Sequence, residues 1–345
     1  MPANRPLKGA LIGCGFVSRH HLDAWAGIPE ASLVAFCEVD PLRLENAGAR
    51  VPDARLYRDS ASLFAAERLD FVEICTGPSS HPALVTLAAE HGAHVLCQKP
   101  SANTRAELLA MIEACEAHAV RLMIHENWRF RGWNRAIRGE IEAGVIGRPV
   151  RLRINHADTR ALRPGGLDDQ PFLASQPRMI LMEMGCHLVD TARFLLGEVA
   201  SVSATLARFG PGHPGEDLAT LSLRFCSGAL GLLDMTWCAT PAVARPEWAL
   251  NETVVEGTEA TLRLLRTGSL QLERLDGQRE TRPVPLPPDD QVYLEGYLKA
   301  QSHFIAHLLD DRPLESSGRD NLRTMDVIWA AYRSAEAGRT VNLTV

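Results

Sequence analysis

Gly9-Ala10-Leu11-Ile12-Gly13-Cys14-Gly15-Phe16-Val17-Ser18 is the stretch on which the reading of this chain turns. An apolar run from Leu7 to Ile12 enters a G-x-G-x-x-S turn, and a helical pattern follows to about Gly27. Strand, glycine turn and helix in that order form a phosphate-binding corner. Gly13 permits the tight turn, and Gly15 lets a pyrophosphate reach the backbone. N–H groups at the helix start present the positive end of its dipole. Phe16 and Val17, at the helix entrance, join the two glycines as expected neighbours of a dinucleotide. Ser18 stands where a third glycine is common and is small enough to keep helix and strand close. The same string also occurs as an ordinary glycine turn, so its meaning rests on its surroundings.

Those surroundings are regular. Leu7 to Ile12, Leu33 to Val39, Phe71 to Thr76, His94 to Gln98 and Arg121 to His125 are strand candidates separated by amphipathic helical stretches. Alternation at this spacing predicts βαβ units and a doubly wound parallel sheet, a Rossmann domain over 1–126. Glu38 ends the second strand where an acid is expected to receive the adenosine ribose and repel a 2′-phosphate, which favours NAD over NADP. Arg43 is close enough to accept that phosphate or to stack on the adenine, and is otherwise an ordinary helix arginine.

Beyond Gly147-Arg148-Pro149 the pattern changes to long strand-like runs, among them Val150 to Asn155, Val199 to Arg208, Leu218 to Cys226, Ala229 to Thr236 and Thr253 to Glu256. Antiparallel pairing suits them, so 127–345 is expected to be an α+β domain with a large, mostly antiparallel open sheet. One helix, Met184 to Leu196, interrupts early; Val292 to Leu309 and Arg319 to Ala337 close the chain. Asp158 to Pro177, with a Gly165-Gly166 pair, reads as a long functional loop.

Composition narrows the partners. With 345 residues, a net charge of -6 and 46% hydrophobic residues, the chain suits globular folding and lacks the basic surplus that draws proteins to nucleic acid or anionic lipid. No run of about 18 apolar residues suggests a membrane span, and the first residues carry no secretory pattern, so a cytoplasmic protein acting on a small molecule is expected. Eight scattered cysteines without a CxxC pair read as reduced thiols.

Of 36 basic residues only Lys8, Lys99 and Lys299 are lysines, leaving 33 arginines. A chain so biased would fill an indifferent basic position with arginine. Lys99 follows the His94 to Gln98 strand at the carboxyl edge of the sheet, where doubly wound folds bind ligands and where a compact ammonium fits beside a substrate oxygen. Glu183 and His187 are four residues apart and Asp190 three further on, an acid–base array on one helix face. His187, with an ordinary pKa of about 6.5, suits a proton acceptor; Asp190 is either part of the array or the group that orients the ring. Glu183, Cys186, His187 and Asp190 lack metal-ligand spacing, so no metal is expected. Arg163 in the long loop is a candidate sugar contact; Trp237 is a weaker one, better explained as core.

Taken together, Gly13-Cys14-Gly15, Thr76-Gly77-Pro78-Ser79-Ser80-His81, Gln98-Lys99-Pro100, Asn127-Trp128-Arg129-Phe130 and Gly185-Cys186-His187-Leu188-Val189-Asp190 resemble the Gfo/Idh/MocA oxidoreductases over nearly the whole chain. Gln98 to Pro100, His125 to Asn127 and Gly215 to Asp217 are similar to its D-apiose dehydrogenase-like branch. The resemblance implies NAD-dependent oxidation of a small sugar hydroxyl, in that branch a cyclic aldose oxidised at its anomeric carbon to a lactone. Lys99 and His187 would be catalytic, with Glu183 standing where relatives usually carry aspartate. Thr76, Pro78, His81 and Gln98 would border the cofactor. Asn127 and Arg129 would face nicotinamide or substrate, and the open sheet would join a homodimer or homotetramer. Pro100 is cis in many relatives. Gln98 replaces the commoner glutamate and supplies no counter-charge, so the Lys99 pKa is expected to fall. The alternatives are a dehydrogenase of another sugar or polyol (an inositol, hexose or sugar acid), an enzyme whose resident NAD assists elimination, and a non-catalytic NAD-binding regulator.

Overall fold

In the computed structural model, which describes residues 5–241, 248 and 250–344, the alternating pattern of the first 125 residues becomes six strands and five helices. These are β1 (Leu7–Ile12), α1 (Ser18–Trp25), β2 (Ala31–Cys37), α2 (Pro41–Arg50), β3 (Arg55–Tyr57), α3 (Ser60–Ala66), β4 (Phe71–Ile74), α4 (His81–Glu90), β5 (His94–Cys97), α5 (Arg105–Ala117) and β6 (Leu122–Ile124). All six strands pair parallel in the order β3-β2-β1-β4-β5-β6. The order reverses between β1 and β4, the point at which such sheets open a crevice at their carboxyl ends. β4, β5 and β6 are almost wholly buried, as expected of strands covered on both faces. β3 was not among the expected strands. Its three residues, Arg-Leu-Tyr, carry no usable alternation, and it forms by pairing at the edge of β2.

Helix starts follow local chemistry. The Asp40 carboxylate accepts from the N–H groups of Leu42 and Arg43, with Pro41 at the first turn of α2. Thr104 and Glu107 form a reciprocal capping box at α5.

The second unit contains α6 (Gly132–Glu142), β7 (Pro149–Ala157), α7 (Ile180–Glu183), α8 (Gly185–Leu196), β8 (Val199–Ala207), β9 (Leu218–Phe225), β10 (Leu230–Thr236), β11 (Glu252–Gly257), β12 (Ala260–Leu264), β13 (Leu270–Arg274), β14 (Arg279–Arg282) and β15 (Val341–Asn342). The sheet order is β14-β13-β12-β11-β7-β10-β9-β8-β15, and among the described residues only β7 and β10 of this sheet pair parallel. Alternating burial along β9 and β10 puts one face into the core, and α8 lies against β7 and β10. The loop after β7 is mostly turns, with one short 3₁₀ segment at Pro171–Ser175.

Two closing helices, α9 (Val292–Asp310) and α10 (Gly318–Ala337), complete the chain. The unit boundaries add to the single one expected at 126/127: the first unit is Met1–Asn127 with Tyr297–Leu322, the second Trp128–Gly296 with Arg323–Val345. Buried polar bonds hold the returning segment in the first unit. Gln301 reaches His21 and Glu73, Ser101 donates to Asn321, and the Ser316 hydroxyl donates to the Ile124 carbonyl. Among the described residues no helix is long and apolar enough to cross a membrane.

Candidate active site

The glycine turn has the shape a dinucleotide requires. Gly13 has φ +94°, and a Cβ there would lie 2.7 Å from Thr76 Cγ2 and 2.9 Å from the Cys75 carbonyl carbon, so only glycine fits. At Gly15 a Cβ would approach only Arg43 Nη1, at 4.0 Å. The space that Gly15 leaves therefore faces away from the packed chain, as phosphate approach demands. Val17 at the start of α1 contributes no side-chain cap, and Phe16 is exposed beneath the Arg19 guanidinium. Glu38 Oε2 accepts from the Cys14 N–H at 2.7 Å and Oε1 from the Asp40 N–H at 3.1 Å, so the carboxylate sits on the turn itself. Gly13, Gly15, Glu38, Arg43 and Thr76 are thus gathered at one corner of the sheet.

Cys14 lies inside this corner. Burial, then the nearby Glu38 and Cys37, push its thiol up to about 12. A raised thiol pKa leaves almost no thiolate below that value. Iodoacetamide at about pH 8 is expected to label exposed Cys226 and spare Cys14 in the folded protein, as read by peptide mass spectrometry. Equal labelling of the two would refute this account of the turn.

Lys99 follows β5 at the carboxyl edge of the sheet and is half-buried, with a cis bond to Pro100. Gln98, expected at the cofactor, is engaged within the protein: its Oε1 accepts from the Lys99 backbone N–H and its Nε2 contacts His21 Nε2, both at 2.7 Å. His81 corrects the reading of its loop. It is fully buried, with its ring nitrogens 3.0 Å from the carbonyl oxygens of Ser101 and Thr76. A side chain with no exposed surface cannot touch a ligand, so His81 pins the Thr76 loop instead. Burial lowers its pKa against the raising effect of those hydrogen bonds. Pro78 is half-buried in the same loop, and Asn127 is buried after β6.

In the second unit His187 is buried near the start of α8 and stacks on Trp128, with ring centroids 4.6 Å apart and planes 5° from parallel. Glu183 is half-buried but ends α7; Met184 interrupts the helix before His187, so the expected single helix face is two segments joined at one residue. Arg129, expected at nicotinamide or substrate, is buried and grips Asp190 with two hydrogen bonds, the Nε–Oδ2 one at 2.7 Å. Asp190 is therefore the counter-ion of Arg129. Arg163 is exposed and pairs with Asp158 at 3.4 Å. Trp237 is core, with the Arg160 guanidinium over its ring. Glu216, in the Gly215 to Asp217 turn, accepts from the N–H groups of Met179 and Leu181 and from the Tyr332 hydroxyl, which anchors the helix that carries Glu183.

Sequence reasoning missed three groups. Trp128 was seen only as part of a motif, because ring stacking across distant segments leaves no local signal. The roles of Glu216 and Tyr332 depend on tertiary approach. The cluster of His21, Glu73 and His125 left one visible sign, a lone acid inside the apolar strand Phe71-Val72-Glu73-Ile74. Among the described residues these three side chains alone bring metal-ligating atoms within 4.8 Å of one another. Both ring nitrogens of His21 and both oxygens of Glu73 are, however, taken up by hydrogen bonds, which leaves that donor set ill-suited to a metal.

Comparison with known proteins agrees with this geometry. A model of the oxidoreductase family with an NAD-binding Rossmann fold matches residues 7–126, and one of the GFO/IDH/MocA C-terminal domain matches 134–263. The chain is 40% identical to a D-apiose dehydrogenase of Paraburkholderia graminis over 97% of this chain and 89% of that protein. It is 36% identical to a D-apiose dehydrogenase of Rhizobium rhizogenes over 98% and 97%. An Agrobacterium radiobacter oxidoreductase solved with NAD+, L-tartaric acid and magnesium superposes with a TM-score of 0.90 at 34% identity, covering 97% of this chain and 98% of that one. With a six-stranded parallel sheet, a glycine turn open to phosphate and a nine-stranded, mostly antiparallel sheet, the chain belongs to the Gfo/Idh/MocA family of NAD-binding oxidoreductases.

Proposed function

We propose that this protein is an NAD-dependent dehydrogenase of a small sugar, and that it oxidises a D-apiose-like cyclic aldose at the anomeric carbon to the lactone. The observation that carries the substrate class is the 40% identity to a D-apiose dehydrogenase over 97% of the chain. When bound, NAD supplies the hydride acceptor, nicotinamide C4. Lys99 holds the substrate hydroxyl and steadies negative charge as it develops on the oxygen. His187 takes the hydroxyl proton on a ring nitrogen, in a plane set by Trp128, and Glu183 supports it. Glu38, aimed at the glycine turn, favours NAD by repelling a 2′-phosphate. A homodimer or homotetramer through the nine-stranded sheet and a cytoplasmic site of action belong to the same reading, the latter supported by eight free cysteines.

The test is a panel of branched pentoses, pentoses, hexoses, inositols and sugar acids, each with NAD and with NADP, followed by absorbance of the reduced nicotinamide. D-Apiose with NAD is expected to give the fastest stoichiometric reduction. No reduction with any sugar would remove the dehydrogenase reading.

A further inference from the structure

The first unit buries a run of polar groups to which the roles above give no task. Glu73, in the middle of β4, and His21, on α1, have no exposed surface. His21 Nδ1 lies 2.7 Å from Glu73 Oε1, and its Nε2 lies 2.7 Å from Gln98 Nε2. Gln98 Oε1 in turn accepts from the Lys99 backbone N–H at 2.7 Å. Three side chains from α1, β4 and the end of β5 therefore form one line that stops at the backbone of Lys99.

The direction of each bond follows from its ends. A backbone N–H only donates, so the Gln98 oxygen must face Lys99 and its NH₂ must face His21. His21 Nε2 then accepts, its single proton sits on Nδ1, and Glu73 receives it. Glu73 also accepts from Trp25 Nε1 at 2.5 Å and from Gln301 Nε2 at 3.2 Å. Burial works to raise the Glu73 pKa, and the hydrogen bonds from His21 and Trp25 work against it; the carboxyl lies below its ordinary range. The other titratable groups facing His21 are His125, whose ring centroid is 4.5 Å away, Tyr297 at 5.0 Å and its neighbour His20.

We propose that Glu73, His21 and Gln98 are positioning residues, a one-way hydrogen-bond chain that sets the place of Lys99 by holding its backbone N–H. The proposal rests on the catalytic role given to Lys99 above. A neutral, directional chain of this kind has no slack, because reversing any member sets donor against donor. It also gives glutamine a purpose at position 98: a carboxylate there has no hydrogen to give a neutral His21.

Two variants of the full-length protein test this. In Gln98→Glu the carboxylate still accepts from Lys99, so the chain closes only if His21 takes a second proton. Ring ¹⁵N NMR of His21, assigned with His21→Gln, is expected to show a neutral Nδ1–H ring in the wild type and an imidazolium in Gln98→Glu. As pH rises and that proton leaves, kcat of Gln98→Glu should fall by about tenfold or more with NAD affinity retained, a limb absent from the wild type. In Glu73→Gln/Gln98→Glu the new amide at 73 donates to Nδ1 and the carboxylate at 98 accepts from Nε2–H. His21 is neutral again with its proton on the opposite nitrogen, and the limb should vanish. The charge at position 98 is the same in both variants, so a limb caused by that charge acting on the Lys99 ammonium would persist in the double variant and overturn the proposal. So would a wild-type ring carrying its proton on Nε2. Should the variants fail to fold, by thermal unfolding and NAD binding, the wild-type ring measurement decides alone. It needs no substrate, so failure of the Lys99 assignment reads out separately, in Lys99→Met.

Discussion

Lys99→Met is expected to lower kcat/KM by about 10²- to 10³-fold while NAD binding, followed by protein fluorescence, is retained. Methionine keeps the unbranched apolar stem, one atom shorter, and removes the ammonium with its charge and its hydrogen-bond donors. The loss should therefore fall on the step in which negative charge develops on the substrate oxygen, and appear in kcat rather than in cofactor affinity. Lys99→Arg is expected to recover little. The guanidinium fork is broader than an ammonium and is less easily placed at a half-buried position. Undiminished turnover by Lys99→Met across the sugar panel would remove the lysine from the chemistry and leave the glycine corner as a binding site only.

His187→Gln should cost about 10²- to 10⁴-fold in kcat, the usual range for loss of a placed proton acceptor. Glutamine preserves polarity and approximate reach but takes up no proton near neutral pH. The residual rate should then climb with pH as solvent hydroxide replaces the side chain, and single-turnover absorbance of the reduced nicotinamide would show it directly. The stacked Trp128 ring gives the comparison an internal check: Trp128→Leu leaves the imidazole in place but releases its plane, so it should impair turnover less than His187→Gln does. A wild-type rate in His187→Gln would return the histidine to the core, where a buried ring on an indole is otherwise unremarkable.

Much of this was legible from residue order. Alternation of apolar runs with helical stretches, the G-x-G-x-x-S turn and an acid closing the second strand are local patterns, and each lies within a few residues of the element it specifies. Lys99 stood out through composition, as one of three lysines against 33 arginines. β3 escaped notice because three residues at a sheet edge need no periodicity of their own. The ion pair of Arg129 escaped notice for another reason. A guanidinium announces that it will pair but not with whom, and Asp190, a helix away, proved to be the partner. His81 likewise has the residue type of a ligand contact and the burial of a structural pin.

The sequence by itself determined the two architectures, the place of the dinucleotide corner and the short list of chemically capable side chains, because all of these are written in local patterns of residue type and spacing. Tertiary structure alone decided which of those side chains are committed elsewhere. Glu73 meets His21 across 52 positions and Gln98 meets it across 77, while Arg129 finds Asp190 across 61. Buried polar groups must be satisfied wherever the fold offers a partner, and that choice of partner is made by the packing of whole elements. The opening glycine turn shows both halves of this. Its bend follows from Gly13 and Gly15 themselves, whereas the Glu38 carboxylate resting on the Cys14 N–H depends on β2 lying beside β1.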